Sequence, residues 1–588
     1  MSQKATRLLN QLDRMVRQEA RQQQEQIERQ WSLPLAERVR TGRAIEGLCF
    51  SSINAETGNV VLRCQSNQSR FREGDHLFLH RGNPLLEPLL ECTLEIDEEL
   101  HLEIVPLDLN VKRLIEEPDD WIADEAFVDM SGYYLQALTE VGDRQVGRTR
   151  ILPLITDELR PGIDYNRYER GWAAATDSGL NETQAEAVGQ AYATDLAHLI
   201  QGPPGTGKTI VLAHLARLLA EEGERVFVTA LTHRAIDNAL NKIAQVAPDL
   251  PVCKIGPPGR EAGDLKVPFY GSFDQSKFWG LSEGYIIGAT PFATRTGRLA
   301  EVEFDTVLFD EASQVTLPLA IMGMLVGQRY VFIGDDRQLP PVVTTFNASP
   351  LARTSIFGYL ADRGYDTMLT ETYRLNDVLS AWPSRTFYNN LLVPAPQAKG
   401  RRLELAVNGG RWDAVLDPGV PAVFVDLHQR NTTVRSHLEA DVVVSLILAL
   451  VEGGIAPEEI GVVTPYRAQG REIRNLLRRT PLDRDARREI VVDTVERMQG
   501  QEREVVLVSL ATSNPIFAGD LAEFFFQPER MNVTITRPRT KLIITGSSRV
   551  LGAAPPEPEL AGWVDLFRDM LQSCALQTVS YGEERPWR

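Results

Sequence analysis

The sequence predicts an α/β protein of two tandem units with mostly parallel sheets, entered through a long helix and a small β-rich segment. Three observations carry that prediction. From about residue 180 onward, short apolar runs alternate with helical patterns in two successive sets. Residues 202–209 read GPPGTGKT between a strand pattern and a helix pattern. Residues 41–150 instead show closely spaced β-branched or alternating runs broken by Gly, Asn and Pro.

The length of 588 residues suits roughly four units at ~150 residues each. With 62 Lys+Arg against 80 Asp+Glu, the net charge of −18 excludes a chain that coats nucleic acid through bulk positive charge, and leaves room for a local basic groove. No run approaches the ~18 apolar residues of a membrane span, and the start, MSQKATRLLNQLDRMVRQEA, has no apolar stretch of the secretory kind. The expectation is a cytoplasmic chain with no membrane partner. Cys49, Cys64, Cys92, Cys253 and Cys574 lie far apart without a C-x-x-C pair, so neither a zinc site nor a disulfide framework is readable.

Taken in order, residues 1–40 place Leu8, Leu9, Leu12, Met15 and Val16 at helical spacing before a Gln/Glu/Arg-rich stretch, which fits a thinly amphipathic stalk. Residues 41–150, with AIEGLCFSSI, GNVVLRCQS, GDHLFLH, ECTLEI and LHLEIVP, suggest a small barrel or sandwich. Residues 151–180 return toward the first α/β unit, 181–365, whose runs AHLIQG, RVFVTA, GYIIGAT, TVLFDE and RYVFIGD are of the kind buried in parallel sheets. The second unit, 366–550, has AVFVDL, EIGVVTP, IVVDT, EVVLVSL and KLIITGS. Residues 551–588 begin with the Pro-rich LGAAPPEPEL and read as an exit and a tail.

The chemistry begins at the phosphate loop of Gly202, Pro203, Pro204, Gly205, Thr206, Gly207, Lys208 and Thr209. Glycines let backbone N–H groups close around phosphates, and the helix beyond them adds its dipole. Lys208 then reaches the β/γ-phosphates and the Thr209 hydroxyl takes Mg²⁺. TVLFDEASQ ends a strand in two carboxylates: Asp310 as a metal ligand through water, and Glu311 as the base that orients and deprotonates attacking water. RYVFIGDDRQLPP ends another strand in a Pro-fixed turn, where Gln338 is the candidate γ-phosphate sensor. The string NKIA at 241–244 lacks the Asp of a guanine-reading N-K-x-D element, which weighs against a GTPase.

At these residues the chain resembles superfamily 1B helicases, in the group containing the nonsense-mediated-decay helicase and the immunoglobulin-μ-switch-region-binding helicase. The motifs run in order as LNETQAEAV (180–188), GPPGTGKT, ALTHRAIDNAL (230–240), DEASQ, GDDRQLPP, LTETYRLN (369–376), VVTPYRAQ (462–469), VDTVERMQGQERE (492–504) and RMNVTITRPR (530–539). The resemblance implies two RecA-like domains, with the arm as a stalk and the β-rich segment as an inserted barrel. It implies that Gln184 reads the adenine edge, Tyr373 stacks on the base and Glu502 binds the ribose. Arg374 and Arg537 reach across the cleft as arginine fingers. Thr232, Thr464, Tyr466 and Gln469 stand at positions whose family counterparts touch the backbone of a single strand, which makes binding largely sequence-independent.

By the same resemblance the chain is expected to be a monomeric ATP-dependent helicase, with Mg²⁺ with ATP as its cofactor, moving 5′ to 3′ on single-stranded nucleic acid, DNA favoured over RNA, with stalk and barrel open to protein partners. The chain departs from the family at His233, where Asn is usual, at Thr372, where Gln is usual, and at Asp336, where His or Pro is frequent. Pro538 stands where Ala is usual and pushes Arg537 to a helix end. The stretch between VCKIG and GYIIGAT is too short for the helical insertion that relatives use as a clamp, so low processivity is expected. Two other readings stay open: a translocase that moves without separating duplexes, and a nucleotide-gated interaction module whose ATPase ignores nucleic acid.

Overall fold

The computed structural model describes residues 1–578 apart from 56, 68, 72–73, 87, 99, 108–110, 257–264, 282, 300–301, 344–348 and 406–409. The chain divides into two compact units, Leu9–Gln136 with Val343–Ser349, and Met1–Leu8 with Ala137–Val342 and Pro350–Arg588. The end of the expected tail, 579–588, lies outside the described residues.

The smaller unit follows the long helix Gln3–Trp31 with a short helix, Leu35–Arg40, and a closed antiparallel barrel. Its strands are β1 (Ala44–Ile53), β2 (Val60–Arg63), β3 (His76–His80), β4 (Leu89–Glu98), β5 (His101–Pro106) and β6 (Trp121–Glu125), in the order β1-β2-β5-β4-β3-β6. Closure leaves no open sheet edge, and Leu48, Leu62, Leu94 and Trp121 fill the interior. One charge cluster is buried with them. Asp124 of β6 takes both Arg38 of the short helix and, at 2.8 Å, the Nε2 of His80, so no member is left unpaired in the low-dielectric wall. The β-structure ends at Glu125, whereas the sequence reading carries it to residue 150. The intervening SGYYLQALTEVGD spaces Ala137, Leu138 and Val141 as one buried helical face, and forms the helix Ser131–Asp143.

The larger unit holds two parallel sheets. The first comprises β7 (Ala197–Gln201), β8 (Arg225–Thr229), β9 (Val252–Ile255), β10 (Phe269–Tyr270), β11 (Tyr285–Gly288), β12 (Thr306–Phe309), β13 (Arg329–Gly334) and β14 (Asp366–Met368), ordered β10-β9-β11-β8-β12-β13-β7-β14. A two-stranded pair, β15 (Glu371–Thr372) and β16 (Val393–Pro394), leads to the second sheet. There β17 (Ala422–Asp426), β18 (Ile460–Thr464), β19 (Val491–Thr494), β20 (Arg503–Ser509), β21 (Pro538–Gly546) and β22 (Ala575–Thr578) run in the order β19-β18-β20-β21-β17-β22.

These strands read as near-continuous apolar runs because helices cover both faces. Ile200, Val228, Leu308 and Val331 of the first sheet share one core with Val211, Leu212, Leu215 and Leu219 of the helix Lys208–Glu221. Parallel strands also put their carboxyl ends on one edge, where α/β folds keep their ligand sites. That edge sets the chemistry: β7, β12 and β13 feed directly into the segments that begin at Gly202, Asp310 and Asp335.

The segment from 551 is more than an exit. PELAGWVDLFRDMLQ forms the helix Pro558–Gln572, which buries Val564, Phe567, Met570 and Leu571, and β22 then pairs in parallel with β17. Two helix-breaking prolines before residue 558 hide an ordinary amphipathic helix from a reading that stops at them.

Candidate nucleotide site and nucleic-acid face

The phosphate loop turns through left-handed glycines, Gly205 at φ 74° and Gly207 at φ 87°, and the helix starts at Lys208. The Lys208 amine donates to the Gly202 carbonyl at 2.6 Å, and the Thr206 hydroxyl to the Pro203 carbonyl at 2.8 Å. Two other segments hold the loop. Gln184, buried on the helix Glu182–Ala193, donates to the Thr206 carbonyl at 3.0 Å and accepts from the Asn181 backbone N–H at 3.1 Å in a capping box. From β15, the Thr372 hydroxyl donates to the Pro204 carbonyl at 2.8 Å and the Tyr373 N–H to the Gly205 carbonyl at 2.8 Å. Asn181 closes the ring by donating to the Tyr373 hydroxyl at 2.8 Å. A Cβ on Gly205 would lie 2.4 Å from the Arg374 Cβ, so glycine there is demanded by space as well as by φ.

At the end of β12, burial pushes the Asp310 carboxyl up to about 7, the charge of Glu311 adds to the shift, and Lys208 opposes it. Glu311 itself sits at φ 49°, a left-handed conformation that costs roughly 1–2 kcal/mol for a non-glycine residue. Its Oε2 lies at 3.5 Å from the amide nitrogen of Gln499, in the second sheet's domain. After β13, burial raises the Asp335 carboxyl, against the pull of Lys208 and of the hydrogen bonds from Gln338 and Tyr388. Gln338 donates to Asp335 Oδ2 at 2.7 Å.

Arg537 meets that Gln338. It follows the helix Pro528–Ile535, Pro538 opens β21 directly after it, and the arginine is fully buried. Its Nη2 donates to Gln338 Oε1 at 3.2 Å, its Nε to the Val533 carbonyl at 2.9 Å and its Nη1 to the Gln501 carbonyl at 3.2 Å. Burial, with the neighbouring Arg374 charge, pulls its guanidinium down to about 9. Arg374 pairs with Glu502, Nε to Oε2 at 2.7 Å, and donates to the Thr536 carbonyl at 3.1 Å. Burial alone would raise Glu502, but Arg374 and Arg539 hold it below its ordinary value.

The nucleic-acid candidates divide. Thr232 follows β8 as the exposed N-cap of the helix His233–Val246, accepting from the Ala235 N–H at 3.2 Å. Thr464 and Gln469 have no exposed surface. The Thr464 hydroxyl donates to the Tyr466 carbonyl at 3.0 Å, and Gln469 bridges Ser436 and Ser509 through bonds of 2.8, 3.1 and 2.9 Å. The Tyr466 ring packs on Phe524 and Phe525, with centroids 5.7 and 6.4 Å away. In this arrangement these residues shape the loops leaving β18 and β20, while Thr232 is presented to solvent. Sequence reasoning missed the group beneath them. Glu439 is buried and accepts from Gln429, from the Ser509 hydroxyl at 2.8 Å and from the Ala511 N–H at 2.7 Å. Ser436-x-x-Glu439 has the spacing of a capping box, which marks the helix start but not the carboxylate's turn toward β20.

No helix among the described residues is long and apolar enough to cross a membrane. Two family profiles, each described as an AAA domain, match the larger unit, one over residues 179–267 and 278–345 and the other over 352–549. The DNA replication ATP-dependent helicase/nuclease DNA2 of Saccharomyces cerevisiae is 28% identical over 429 residues, covering 67% of this chain and 27% of that protein. Regulator of nonsense transcripts 1 of Caenorhabditis elegans is 29% identical over 419 residues, covering 63% and 38%. The chain thus spans 27% to 38% of the length of these relatives. Among solved structures, arterivirus nonstructural protein 10 (helicase) covers 90% of this chain and 82% of its own at 14% identity and a TM-score of 0.39.

Proposed function

We propose, on the premise that this chain belongs to the superfamily 1B helicases, that it hydrolyses ATP between its two RecA-like domains and uses the cycle to move 5′ to 3′ along a single strand and unwind duplexes, with DNA favoured over RNA. The observation that carries the reading is the meeting of Arg537, from the second domain, with Gln338, from the first, at 3.2 Å. A cation that reaches the sensor only when the halves are together ties hydrolysis to closure, and such an arginine is worth ~10³–10⁵ in rate. Lys208 and the backbone of Gly205–Thr209 bind and orient the phosphates. Glu311 orients the attacking water and takes its proton. Tyr373 and Glu502 line the base and ribose side of the same cleft, and Arg374 is the second arginine finger.

The donors fit a hard divalent cation. The Thr209 hydroxyl and the Asp310 carboxyl are oxygen ligands of the type Mg²⁺ takes alongside water and phosphate oxygens, and a buried carboxyl raised to about 7 has a site where a cation would relieve it. When bound, Mg²⁺ would neutralise charge on the β- and γ-phosphate oxygens. Strand binding falls to the loops leaving β8, β18 and β20.

Translocation without unwinding is the second reading. It is favoured by the brevity of the chain between β9 and β11, residues 256–284, whose described part holds β10 and one short 3₁₀ turn. The test is steady-state ATPase of the wild type and Glu311→Gln, each alone, with single-stranded DNA and with single-stranded RNA at fixed salt. Stimulation by a polymer, lost in the variant, supports both motor readings, and a strand-displacement assay on tailed and blunt duplexes separates them. Equal turnover with and without polymer leaves a nucleotide-gated module.

A further inference from the structure

The four residues immediately after β13 are gripped by the second domain at more points than the arginine finger. The Tyr388 hydroxyl, at the end of the helix Asp377–Phe387, donates to Asp335 Oδ2 at 2.7 Å. That oxygen is the one to which Gln338 also donates. Asn532, on the helix that leads into Arg537, donates through Nδ2 to the Arg337 carbonyl at 2.8 Å and to the Tyr388 hydroxyl at 2.8 Å. Three side chains of the second domain, Tyr388, Asn532 and Arg537, therefore each bond to the stretch Asp335–Gln338. The circuit closes on itself: Asn532 to Tyr388, Tyr388 to Asp335, Gln338 to Asp335, Arg537 to Gln338, and Arg537 back to Val533 of the Asn532 helix.

Two features separate this from ordinary packing. Tyr388, Asp335, Gln338, Asn532 and Arg537 are all buried, so each bond acts where water does not compete. Asn532 keeps both bonds on Nδ2 while its Oδ1 has no hydrogen-bond partner, so its amide is oriented by what the two donations reach. One donation crosses the cleft to Arg337 and the other sets the Tyr388 hydroxyl, which itself crosses to Asp335. The phenol has a single proton, and with Asn532 donating to its oxygen that proton goes to Asp335, which fixes the carboxylate against which Gln338 is set.

We propose that Tyr388 is a positioning residue for ATP hydrolysis: its hydroxyl, held by Asn532, locks Asp335 so that Gln338 and Arg537 reach the γ-phosphate in register only when the second domain is seated. The Tyr388 hydroxyl bonds to Asp335 and Asn532. It acts through Asp335 and Gln338, so its loss slows chemistry and leaves ATP binding to the phosphate loop. The inference rests on the ATPase reading above.

The test is polymer-stimulated steady-state ATPase of the wild type, Tyr388→Phe, Gln338→Ala and the double variant, with thermal melts alongside. Misplacement of reacting groups by about an ångström costs on the order of a hundredfold, so Tyr388→Phe is expected to lower kcat about tenfold to a hundredfold, with KM for ATP within about twofold. The double variant is expected to match Gln338→Ala alone, since both act on one path. A kcat within about twofold of wild type, a KM that rises as far as kcat falls, or losses that multiply in the double variant would each overturn the proposal. Should Tyr388→Phe fail to fold, Asn532→Asp, which keeps the shape and removes both donations, is read by the same criteria. A wild type without turnover would sink the ATPase reading and this inference with it, whereas an active wild type with an unaffected Tyr388→Phe sinks this inference alone.

Discussion

The two RecA-like domains share one architecture and carry opposite chemistry on it. In the first, the strand ends feed glycines, a lysine and carboxylates: Gly205, Gly207, Lys208, Asp310 and Glu311. In the second, the corresponding edge offers a buried polar network around Glu439 and Gln469, and its contribution to the cleft is cationic, Arg374 and Arg537. On the proposed reading one half holds phosphate and the other completes the site on arrival. A ring of donors in a single domain would bind ATP equally well before and after closure, whereas a divided site makes the transition state depend on the approach of the second half. The division predicts a kinetic split: the phosphate-loop residues of the first domain govern binding and chemistry, and the arginines of the second domain govern turnover.

Arg537→Ala is the largest expected effect. Turnover should fall by about 10³-fold or more with KM for ATP nearly unchanged, because in its proposed role the arginine acts in the transition state while the phosphate loop survives. Steady-state kinetics with saturating polymer checks it. A KM that rises in proportion to the fall in kcat would break the comparison and make the second domain a binding half.

The buried carboxylate of the second domain gives the next effect. Burial pushes Glu439 up to about 7, against the hydrogen bonds from Ala511, Ser509 and Gln429. At low pH it is protonated in both folded and unfolded chains. As pH rises from its ordinary value of 4.5 toward about 7, the unfolded chain ionises first, so the wild type loses stability across that window and is level above it. The loss is bounded at about 3 kcal/mol. Glu439→Gln should lessen this dependence and leave the share of Asp310, and urea melts between pH 5 and 8 would measure it. An identical slope in the variant assigns the titration elsewhere.

Much of the first domain was legible because its chemistry is local. Gly202–Thr209, Asp310 and Glu311 lie within a few residues of apolar strands, and parallel strands buried on both faces announce themselves as unbroken apolar runs. Arg537 at a helix end followed from Pro538, which bars helical geometry before it. The network of the second domain was not legible, since Gln429, Ser436, Glu439, Gln469, Ser509 and Ala511 meet through the sheet across more than 80 positions of sequence. Tyr388 was hidden for the same reason, 53 residues from the carboxylate it serves. Periodicity reports which face of an element is buried, not which polar partner waits there.

Gly205→Ala probes the seam between the halves. The alanine Cβ would need a left-handed φ of 74° and would meet the Arg374 Cβ at 2.4 Å and the Thr372 hydroxyl at 2.7 Å. Strain and overpacking together predict a loss of about 2 kcal/mol in stability and weakened ATP binding, read by thermal melts and by nucleotide titration. Gly454→Ala is the control, with φ 97° and nothing within 4 Å of its Cβ. Equal losses at both positions would show that backbone strain alone acts and that the β15 segment does not press on the loop.

The same asymmetry recurs on the candidate nucleic-acid face, with the smallest expected effect. Thr232 of the first domain is an exposed cap, while Gln469 of the second is sealed between Ser436 and Ser509. Thr232→Ala removes the bond to the Ala235 N–H and should cost about 1 kcal/mol of stability. If the hydroxyl also meets a phosphate, affinity for a single strand falls several-fold while ATPase without polymer is unchanged. Because no cation is lost, the slope of log affinity against log salt should stay at its wild-type value. Thr232→Ser restores both cap and hydroxyl and should recover the affinity. Gln469→Ala acts differently, loosening the loop beyond β20 and lowering stability along with affinity. A Thr232→Ala variant that loses stability but binds strand as tightly as wild type would reduce that threonine to its capping role and leave the backbone amides of the helix start as the contact.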